Sequence, residues 1–280
     1  MGFFSRRSRS GNVPTAGRHF LNLGCGSHRH PEWLNADLVP SGPDVLAVDL
    51  RQPLPFAADS FAAVYSSHVL EHLTPGEARG LLAEMFRVTR PGGVIRLAVP
   101  DLEGIARQYL ATLDEVDATG SSEARWKHRW MIVELLDQMV RTTSGGAMGR
   151  WWSCDPVPIL DFILGRVGAE ASRAITAGRT ARAAAGAAAI SENDIFLTRP
   201  VSDRRLLRFL SSGERHKWMY DRVSLAEALE AAGFVEPRRM SAITSRIEGF
   251  AAFGLDADQA GAVRKPDSLF MEAVVPGARA

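Results

Sequence analysis

The sequence has few cysteines and no long apolar run. Cys25 and Cys154 are the only cysteines among 280 residues, which is too few for a disulfide framework and wrongly spaced for a zinc knuckle. No uninterrupted apolar stretch approaches the roughly 20 residues that span a bilayer. The opening MGFFSRRSRSGN is basic, but no apolar core follows it, so it does not predict a secretory signal. We therefore expect a cytoplasmic protein without stable membrane insertion.

The chain also has almost no net charge. Its 33 basic and 32 acidic residues leave +1 at pH 7, so no overall field attracts nucleic acid or an anionic membrane. A hydrophobic content of 46% is enough to bury a full core. We expect small-molecule partners and no nucleic acid, and leave open the formation of a homodimer.

Residues 19–101 alternate short apolar runs with turns, which is typical of a parallel α/β sheet. The segment between the fourth and fifth strands places apolar residues at helical spacing and stops at Pro91-Gly92-Gly93. The predicted strands, in chain order, are HFLNLGCG, EWLNADL, DVLAVDL, FAAVYSSHVL and VIRLAVPDL.

Residues 102 to about 200 break this pattern, because they are rich in helix-forming sequence and contain no convincing buried strand. They predict a helical insertion. The α/β pattern then resumes with SLAEALEAAGF, a helix that we expect to be capped by Ser224 and closed by Gly233. Two strands, VEPRRMSAI and SLFMEAVVP, complete the sheet.

The first strand runs straight into Gly24-x-Gly26, which lets the backbone approach a ligand that any Cβ would exclude. A glycine pair alone is weak evidence, since turns without ligands look the same. Asp37 ends the next strand, where doubly wound folds place a carboxylate that accepts hydrogen bonds from ribose hydroxyls. Asp49 ends the third strand and could lie beside a base, or it could cap a helix or turn.

His68, Glu71 and His72 have the spacing H-x-x-E-H, in which one helix face offers two imidazoles to zinc. That use needs a third ligand downstream and a helix long enough to hold both histidines. Pro75 follows too soon for such a helix, and the segment directly follows a strand end, where open α/β sheets bind ligands. We therefore predict no metal here and a ligand crevice instead.

Several segments together resemble the class I S-adenosylmethionine-dependent methyltransferases, and in particular their small-molecule branch. The resemblance is carried by LNLGCGS, LNADL, DLRQPLPFAADSFAAVYSSHVLEHL and MFRVTRPGGVIRLAVPDL, and it extends to SLAEALEAAGF and SLFMEAVVP. The segment HKWMYD is similar, more weakly, to bacterial methyltransferases associated with surface polysaccharide synthesis.

The resemblance implies a Rossmann-like α/β fold with seven mostly parallel strands, an antiparallel last strand and a helical insertion. We divide the chain accordingly. Residues 1–17 are predicted to be a disordered N-terminus, and residues 18–102 the cofactor-binding core. Residues 103–212 form the helical insertion, which we expect to cap the substrate, and residues 213–280 complete the core.

The resemblance also implies S-adenosyl-L-methionine as cofactor and assigns its site residue by residue. The cofactor's methionine part would lie against the glycine turn, its ribose on Asp37 and its adenine near Asp49 and Leu50. Its sulfonium end would be bordered by the end of the fourth strand. The predicted contacts are Asn22, Gly24, Cys25, Gly26, Asp37, Asp49, Leu50, Ser66, Ser67 and His68.

Two departures from the family pattern concern this site. The family usually has an acidic residue where Asn22 stands and often a third glycine where Ser27 stands, so the contact with the cofactor's ammonium group would be lost or mediated by water. Only ten residues separate Gly26 from Asp37, too few for a normal helix between the two strands. The first helix is expected to shrink to about one turn around His28–Trp33.

The insertion offers candidate substrate contacts. Glu134, Asp137, Gln138 and Arg141 share one helix face, which either lines a polar pocket or forms a solvated face with ion pairs. Ser144-Gly145-Gly146 would then be a hinge or an anion-contacting turn. His216 and Tyr220 belong to a second polar and aromatic cluster suited to a sugar ring, or to a joint between strand and helix.

A hydroxyl or amine acceptor must lose a proton, and histidine suits that task. We rank His72 first, His68 second and His216 third as the base, with a capping role as the alternative for His72. The predicted enzyme methylates a small or saccharide-like acceptor at oxygen. The alternatives are N- or C-methylation in secondary metabolism, and an inactive regulatory protein that keeps the cofactor fold.

Overall fold

The computed structural model describes residues 15, 17–185, 191, 194–196 and 200–277. Most of the strands lie in the first hundred residues and form one seven-stranded sheet in the order β3-β2-β1-β4-β5-β7-β6. The strands are β1 Phe20–Leu23, β2 Trp33–Asp37, β3 Val45–Ala47, β4 Phe61–Ser67, β5 Thr89–Pro100, β6 Val235–Met240 and β7 Ser268–Val274.

Among the described residues, the α-helices lie between β4 and β5 and between β5 and β6. Two short 3-10 turns lie between β4 and β5 and between β6 and β7. The 3-10 turns are Leu70–His72 and Phe250–Phe253. The α-helices are α1 Pro75–Val88, α2 Leu102–Thr119, α3 Ser122–Val140, α4 Gly146–Trp152, α5 Leu160–Val167, α6 Ala169–Ala185, α7 Asp203–Leu210 and α8 Arg222–Ala231.

The strand directions confirm the predicted fold class. β1 pairs in parallel with both β2 and β4, β2 with β3, and β4 with β5. β7 runs antiparallel between β5 and β6. The strand order reverses between β1 and β4, and in open α/β sheets the ligand crevice lies outside the carboxyl ends of the strands at such a switch point.

The sheet core is closed by α1 and α8. Thr74 caps α1 through a capping box with Glu77, and Pro75 occupies the first turn, where its missing N–H costs nothing. Leu82 and Met85 on the inner face of α1 are buried against the sheet. Burial of such side chains contributes about 1.5–3 kcal/mol each.

The helices α2 to α7 lie between β5 and α8, in the span predicted to be the insertion. Their apolar faces form a second cluster, in which Trp130, Trp151 and Ile163 are fully buried. The two tryptophan rings meet edge to face with centroids 5.4 Å apart. This part of the chain therefore has a core of its own.

Two local expectations need correction. Residues 24–32, all of which the structure describes, contain turns and no helical turn, because the short connection closes with hydrogen bonds from His28 N to Cys25 O and from Trp33 N to His30 O. α8 is capped by Asp221, which accepts from the backbone of Val223 and Ser224, rather than by Ser224.

The predicted disordered N-terminus falls largely outside the described residues. In the part of the chain that the structure covers, no helix is both long and apolar enough to cross a membrane.

Candidate active site

A cavity of about 550 Å³ opens at the carboxyl ends of β1 and β4, and its size is typical of ligand sites. The glycine turn after β1 forms one wall, and Ser67 and His68 after β4 form the next. Ser268 at the start of β7 and Ala174 on α6 also line it. The cavity thus lies where the sheet topology predicts a ligand.

The glycine turn is fixed by close packing and by its own hydrogen bonds. Gly24 has a φ of +69°, and a Cβ placed on it would lie 2.2 Å from Cγ2 of Val69, whereas a Cβ on Gly26 would meet open space. The amides of Gly24 and Cys25 both donate to the carbonyl of Ala36, at 2.8 and 3.2 Å. The turn therefore lets a ligand approach the backbone closely at Gly26, whereas the amides of Gly24 and Cys25 are already used and cannot donate to that ligand.

Asp37 braces this turn from the end of β2. Its Oδ2 accepts the amide of Gly26 at 2.8 Å, and its Oδ1 accepts the amide of Val39 at 3.0 Å. Ser41 adds a hydrogen bond from its hydroxyl to the carbonyl of Gly26. Asp37 thus positions the glycine turn whatever the ligand.

Asn22 lines the cavity but makes its hydrogen bonds inward. Its Nδ2 donates to the carbonyl of His28 and to Oδ1 of Asn35, both at 3.0 Å, and the residue is 1% exposed. Because both partners are acceptors, the amide suits this position and a carboxylate does not. The departure from the family's acidic residue therefore has a structural reason.

Asn22→Asp should destabilise the protein rather than restore a family contact. The new carboxylate would face two acceptors in a buried site, so we expect the free energy of unfolding to fall by about 2 kcal/mol in urea denaturation. Asn22→Ser, which keeps a donor, should lose less. Equal stability of the aspartate variant and the wild type would contradict this account.

His68 links three parts of the site. Its Nε2 lies 2.8 Å from the hydroxyl oxygen of Ser268, and its Nδ1 lies 3.1 Å from Oε1 of Glu71. Its φ of +53° is rare for a residue with a side chain, and its amide donates to the carbonyl of Ala98. A serine hydroxyl, an imidazole and a carboxylate thus form one chain that begins in the cavity wall.

The other two predicted bases lie behind this wall. The rings of His72 and His216 meet edge to face with centroids 4.7 Å apart, and neither lines the cavity. Burial lowers the pKa of both imidazoles, that of His216 to about 3. Burial raises the pKa of Glu71, but the hydrogen bond with His68 and the electrostatic effect of the neighbouring imidazoles outweigh it and bring that pKa to about 2.

Charged groups surround the cavity. Arg173 of α6, Arg264 and Lys265 contribute positive charge to its wall, and Asp256 contributes negative charge. Burial raises the pKa of Asp256 against the opposing effect of Arg96, whose Nε donates to it at 2.7 Å. The cavity wall therefore carries groups of both charge signs, although the carboxylate of Asp256 is already engaged by Arg96 and Tyr65.

The remaining predicted cofactor contacts are placed less directly. Ser66 is buried and donates to the carbonyl of Leu23 at 3.0 Å. Asp49 accepts two hydrogen bonds from the guanidinium of Arg51, both 2.8 Å long, which lower its pKa. Leu50 packs against the sheet core. These three residues do not line the cavity.

The predicted substrate face of α3 is occupied by structural partners. Glu134 is buried, accepts from Trp130 Nε1 at 2.8 Å and forms an ion pair with Arg166. Asp137 accepts hydrogen bonds from the amides of Ala147 and Met148 in the first turn of α4.

Arg141 and Tyr220 also lie outside the cavity lining. Arg141 forms an ion pair with Glu214 at 3.3 Å. Tyr220 is buried, pairs by its backbone with Asp101, and has a pKa raised to about 12 chiefly by burial. The polar face of α3 therefore contributes to packing within the helical part, and substrate contact by these residues stays a prediction.

Sequence reasoning missed several cavity residues. Ser268, Asp256 and Lys265 come from loops near the end of the chain and line the cavity beside His68. Their only sequence indication is that they precede or begin the last strand, a position that the antiparallel β7 brings back to the carboxyl end of β4.

Residues 21–97 match the family model described as a methyltransferase domain. This span begins at β1 and ends within β5, so it includes the glycine turn, Asp37 and His68. No curated protein matches the chain.

Several solved structures show limited likeness. A putative methyltransferase of Haloferax volcanii, solved with a methyltransferase activator, is 14% identical, with 94% of this chain and 84% of that chain covered and a TM-score of 0.39. A 1,6-didemethyltoxoflavin-N1-methyltransferase from Burkholderia thailandensis is 14% identical, with 93% and 73% covered and a TM-score of 0.36.

An amino pentose methyltransferase from Micromonospora echinaspora is 27% identical over 29% of this chain, with a TM-score of 0.24, and the chain spans 42% of that protein. None of these likenesses carries information about the acceptor. The family match covers the strands that carry the glycine turn, so this part of the chain is similar to a methyltransferase domain, and it lies in a seven-stranded sheet of Rossmann-like strand order.

Proposed function

We propose that the protein transfers a methyl group to an oxygen of a small or saccharide-like acceptor bound in the cavity. The observation that carries this proposal is the position of His68, whose Nε2 already contacts a hydroxyl, that of Ser268, at 2.8 Å in the cavity wall. An imidazole nitrogen that holds a serine hydroxyl can hold an acceptor hydroxyl in the same way.

The cavity suits the cofactor. Gly26 has no side chain and borders open space, which leaves room for the cofactor. The carboxylate of Asp37 lies beside Gly26 and accepts its amide. The positive groups of Arg173, Arg264 and Lys265 suit the cofactor's carboxylate. When bound there, S-adenosylmethionine would supply a methyl group already activated by a positive sulfur.

The protein's remaining tasks are alignment, exclusion of water and removal of a proton. His68 Nε2 would take the proton of the acceptor hydroxyl. The carboxylate of Glu71, which contacts Nδ1 of His68, would keep the imidazole's own proton on Nδ1, away from the cavity. It would also stabilise the imidazole once Nε2 is protonated, as the acid does in serine hydrolases. Ala174 and Ala177 of α6 cover the cavity, and we assign the helical span 103–212 the role of a cap.

Asn22 and Ser27 are the features that favour a binding protein without turnover. The side-chain amide of Asn22 is committed to His28 and Asn35, so it leaves the cofactor's ammonium group without a charged partner from this position. Such a protein would bind the cofactor and release it unchanged. N- or C-methylation would instead require turnover with an amine or carbon acceptor.

Asp37→Ala tests the cofactor site. Loss of Asp37 removes the acceptor for the amide of Gly26 and the proposed acceptor for the ribose hydroxyls. Hydrogen bonds to a charged group are worth about 1.5–3 kcal/mol each, so we expect the Kd for S-adenosylmethionine to rise about 100-fold in calorimetry. Asp114→Ala, which removes an exposed carboxylate on α2, is the matched control and should leave that Kd unchanged.

The wild type decides the broader question. Absence of binding of the cofactor and of its demethylated product at millimolar concentration would contradict the proposal. Binding followed by transfer to hydroxylated acceptors, including sugars, is the expected result. Transfer to amine or carbon acceptors alone would replace O-methylation by the corresponding alternative, and binding without any transfer would favour the regulatory protein.

A further inference from the structure

Three side chains converge behind the cavity wall. Glu71, His72 and His216 each present one atom capable of binding a metal ion, and these atoms all lie within 4.8 Å of one another. Glu71 is fully buried and His216 is 4% exposed. The pairing is long-range, because Glu71 and His72 follow β4 whereas His216 precedes α8.

This cluster leaves buried polar atoms unsatisfied. Within the described structure, Oε2 of Glu71 and Nδ1 of His72 have no hydrogen-bond partner. His68 offsets the charge of Glu71 through its contact with Oε1 at 3.1 Å, but that contact leaves Oε2 without a partner. Buried polar atoms of this kind are rare, since each costs free energy unless something binds it.

We propose that Glu71, His72 and His216 bind one divalent transition-metal ion, of which Zn²⁺ is the natural probe. Two imidazoles and one carboxylate are a common three-residue donor set for zinc, with a fourth position left to water. Atoms bound to one zinc ion lie roughly 3.4 Å apart, so the side chains would close by about an ångström on binding. The set differs from the H-x-x-E-H pattern, because His216 replaces His68 as a ligand.

The backbone holds this donor set in place. The amides of Lys217 and Trp218 donate to the carbonyl of Glu71, at 2.7 and 3.2 Å, and the amide of His216 donates to the carbonyl of Gln138 at 3.0 Å. A bound ion would therefore fasten the 3-10 turn after β4 to the segment before α8 and to α3. The side chain of His72 is 27% exposed, which provides a route of entry.

The site is separate from the proposed acceptor position. His72 and His216 do not line the cavity, whereas His68 does. The ion is therefore assigned to holding the wall that carries His68, and the inference goes beyond the proposed function. Its failure would leave cofactor binding and methyl transfer to be judged by their own measurements.

The test is titration of the full chain, stripped of metal by a chelator, with Zn²⁺ in a calorimeter. We expect one ion per chain and, at Zn²⁺ concentrations about 100 times the Kd, a rise in Tm of roughly 5 °C. Co²⁺ should bind with the intense visible absorption of a four-coordinate site. Wild-type protein that binds no stoichiometric metal would overturn the proposal.

Variants identify the ligands. His216→Gln and Glu71→Gln should abolish stoichiometric binding, whereas His68→Gln and the exposed His19→Gln should retain it. Retention of binding in His216→Gln with loss in His68→Gln would assign the metal to the H-x-x-E-H pattern and overturn the proposed set. Circular dichroism establishes that each variant is folded, and the Co²⁺ spectrum of the wild type needs no variant.

Discussion

Arg96→Met should lower the free energy of unfolding by about 3–5 kcal/mol, as measured by urea denaturation. Arg96 is fully buried on β5. Its Nε donates to Asp256 at 2.7 Å and its Nη1 donates to Glu272 at 2.8 Å. Removal of the cation leaves two buried carboxylates without a counterion. The loss of folding free energy is then far larger than the loss caused by breaking an exposed ion pair.

Arg96 has further partners that methionine cannot replace. Its guanidinium donates to the carbonyls of Thr244 and Ser241 at 2.9 and 2.7 Å and lies 4.3 Å from the centroid of Phe250. These contacts hold the loop after β6 against the sheet. Because Asp256 lines the cavity, we also expect the variant to bind the cofactor less tightly.

Two controls separate buried charge from lost packing. Arg238→Met removes an exposed arginine on β6 and should change stability by less than about 0.5 kcal/mol. The triple variant that adds Asp256→Asn and Glu272→Gln neutralises both carboxylates and should recover part of the loss. A loss below about 1 kcal/mol in Arg96→Met, or no recovery in the triple variant, would contradict a charge-based role for this network.

The fold could be predicted from sequence because its indications are local. Three of the early strands end at residues that can be recognised in the sequence: glycines follow β1, Asp37 is the last residue of β2, and the histidine segment follows β4. Because carboxyl ends of parallel strands meet at one edge, these local endings also predict where the site lies. The same reasoning does not predict Ser268, which forms a hydrogen bond with His68 although the two residues are 200 positions apart in the sequence.

Helical periodicity was less informative in the insertion. It places Glu134 and Asp137 on one face of α3, but a polar face can be directed to solvent, to a ligand or to buried partners. In the structure, Glu134 forms an ion pair with Arg166, and Asp137 accepts a hydrogen bond from an amide at the start of α4. The difference depends on the positions of α4 and α5, which no pattern within α3 contains.

The histidine segment shows the same limit. Its spacing brings His68, Glu71 and His72 together, but the residue that completes the cluster, His216, is supplied by a distant loop. The 3-10 turn Leu70–His72 is as short as Pro75 predicts. His68 precedes this turn and lines the cavity, whereas His72 within the turn contacts His216, so the two histidines have different neighbours.

His68→Gln should lower kcat about 1,000-fold, the middle of the range for loss of a general base. Glutamine can still hydrogen-bond to the acceptor but cannot take its proton. The Kd for S-adenosylmethionine should change by less than about threefold, because we assign binding to the glycine turn and Asp37 and assign His68 to the proton. The measurement is kcat and KM with a hydroxylated acceptor, together with calorimetry for the cofactor.

His128→Gln is the matched control, since His128 lies on α3 beside Thr112, outside the cavity lining, and its kcat should equal that of the wild type. Ser268→Ala gives a second test, because removing that hydroxyl frees His68 Nε2 for the acceptor and should not reduce kcat. An unchanged kcat in His68→Gln would remove His68 from proton transfer. It would then favour an acceptor that attacks without losing a proton first, such as a neutral amine, over the proposed hydroxyl.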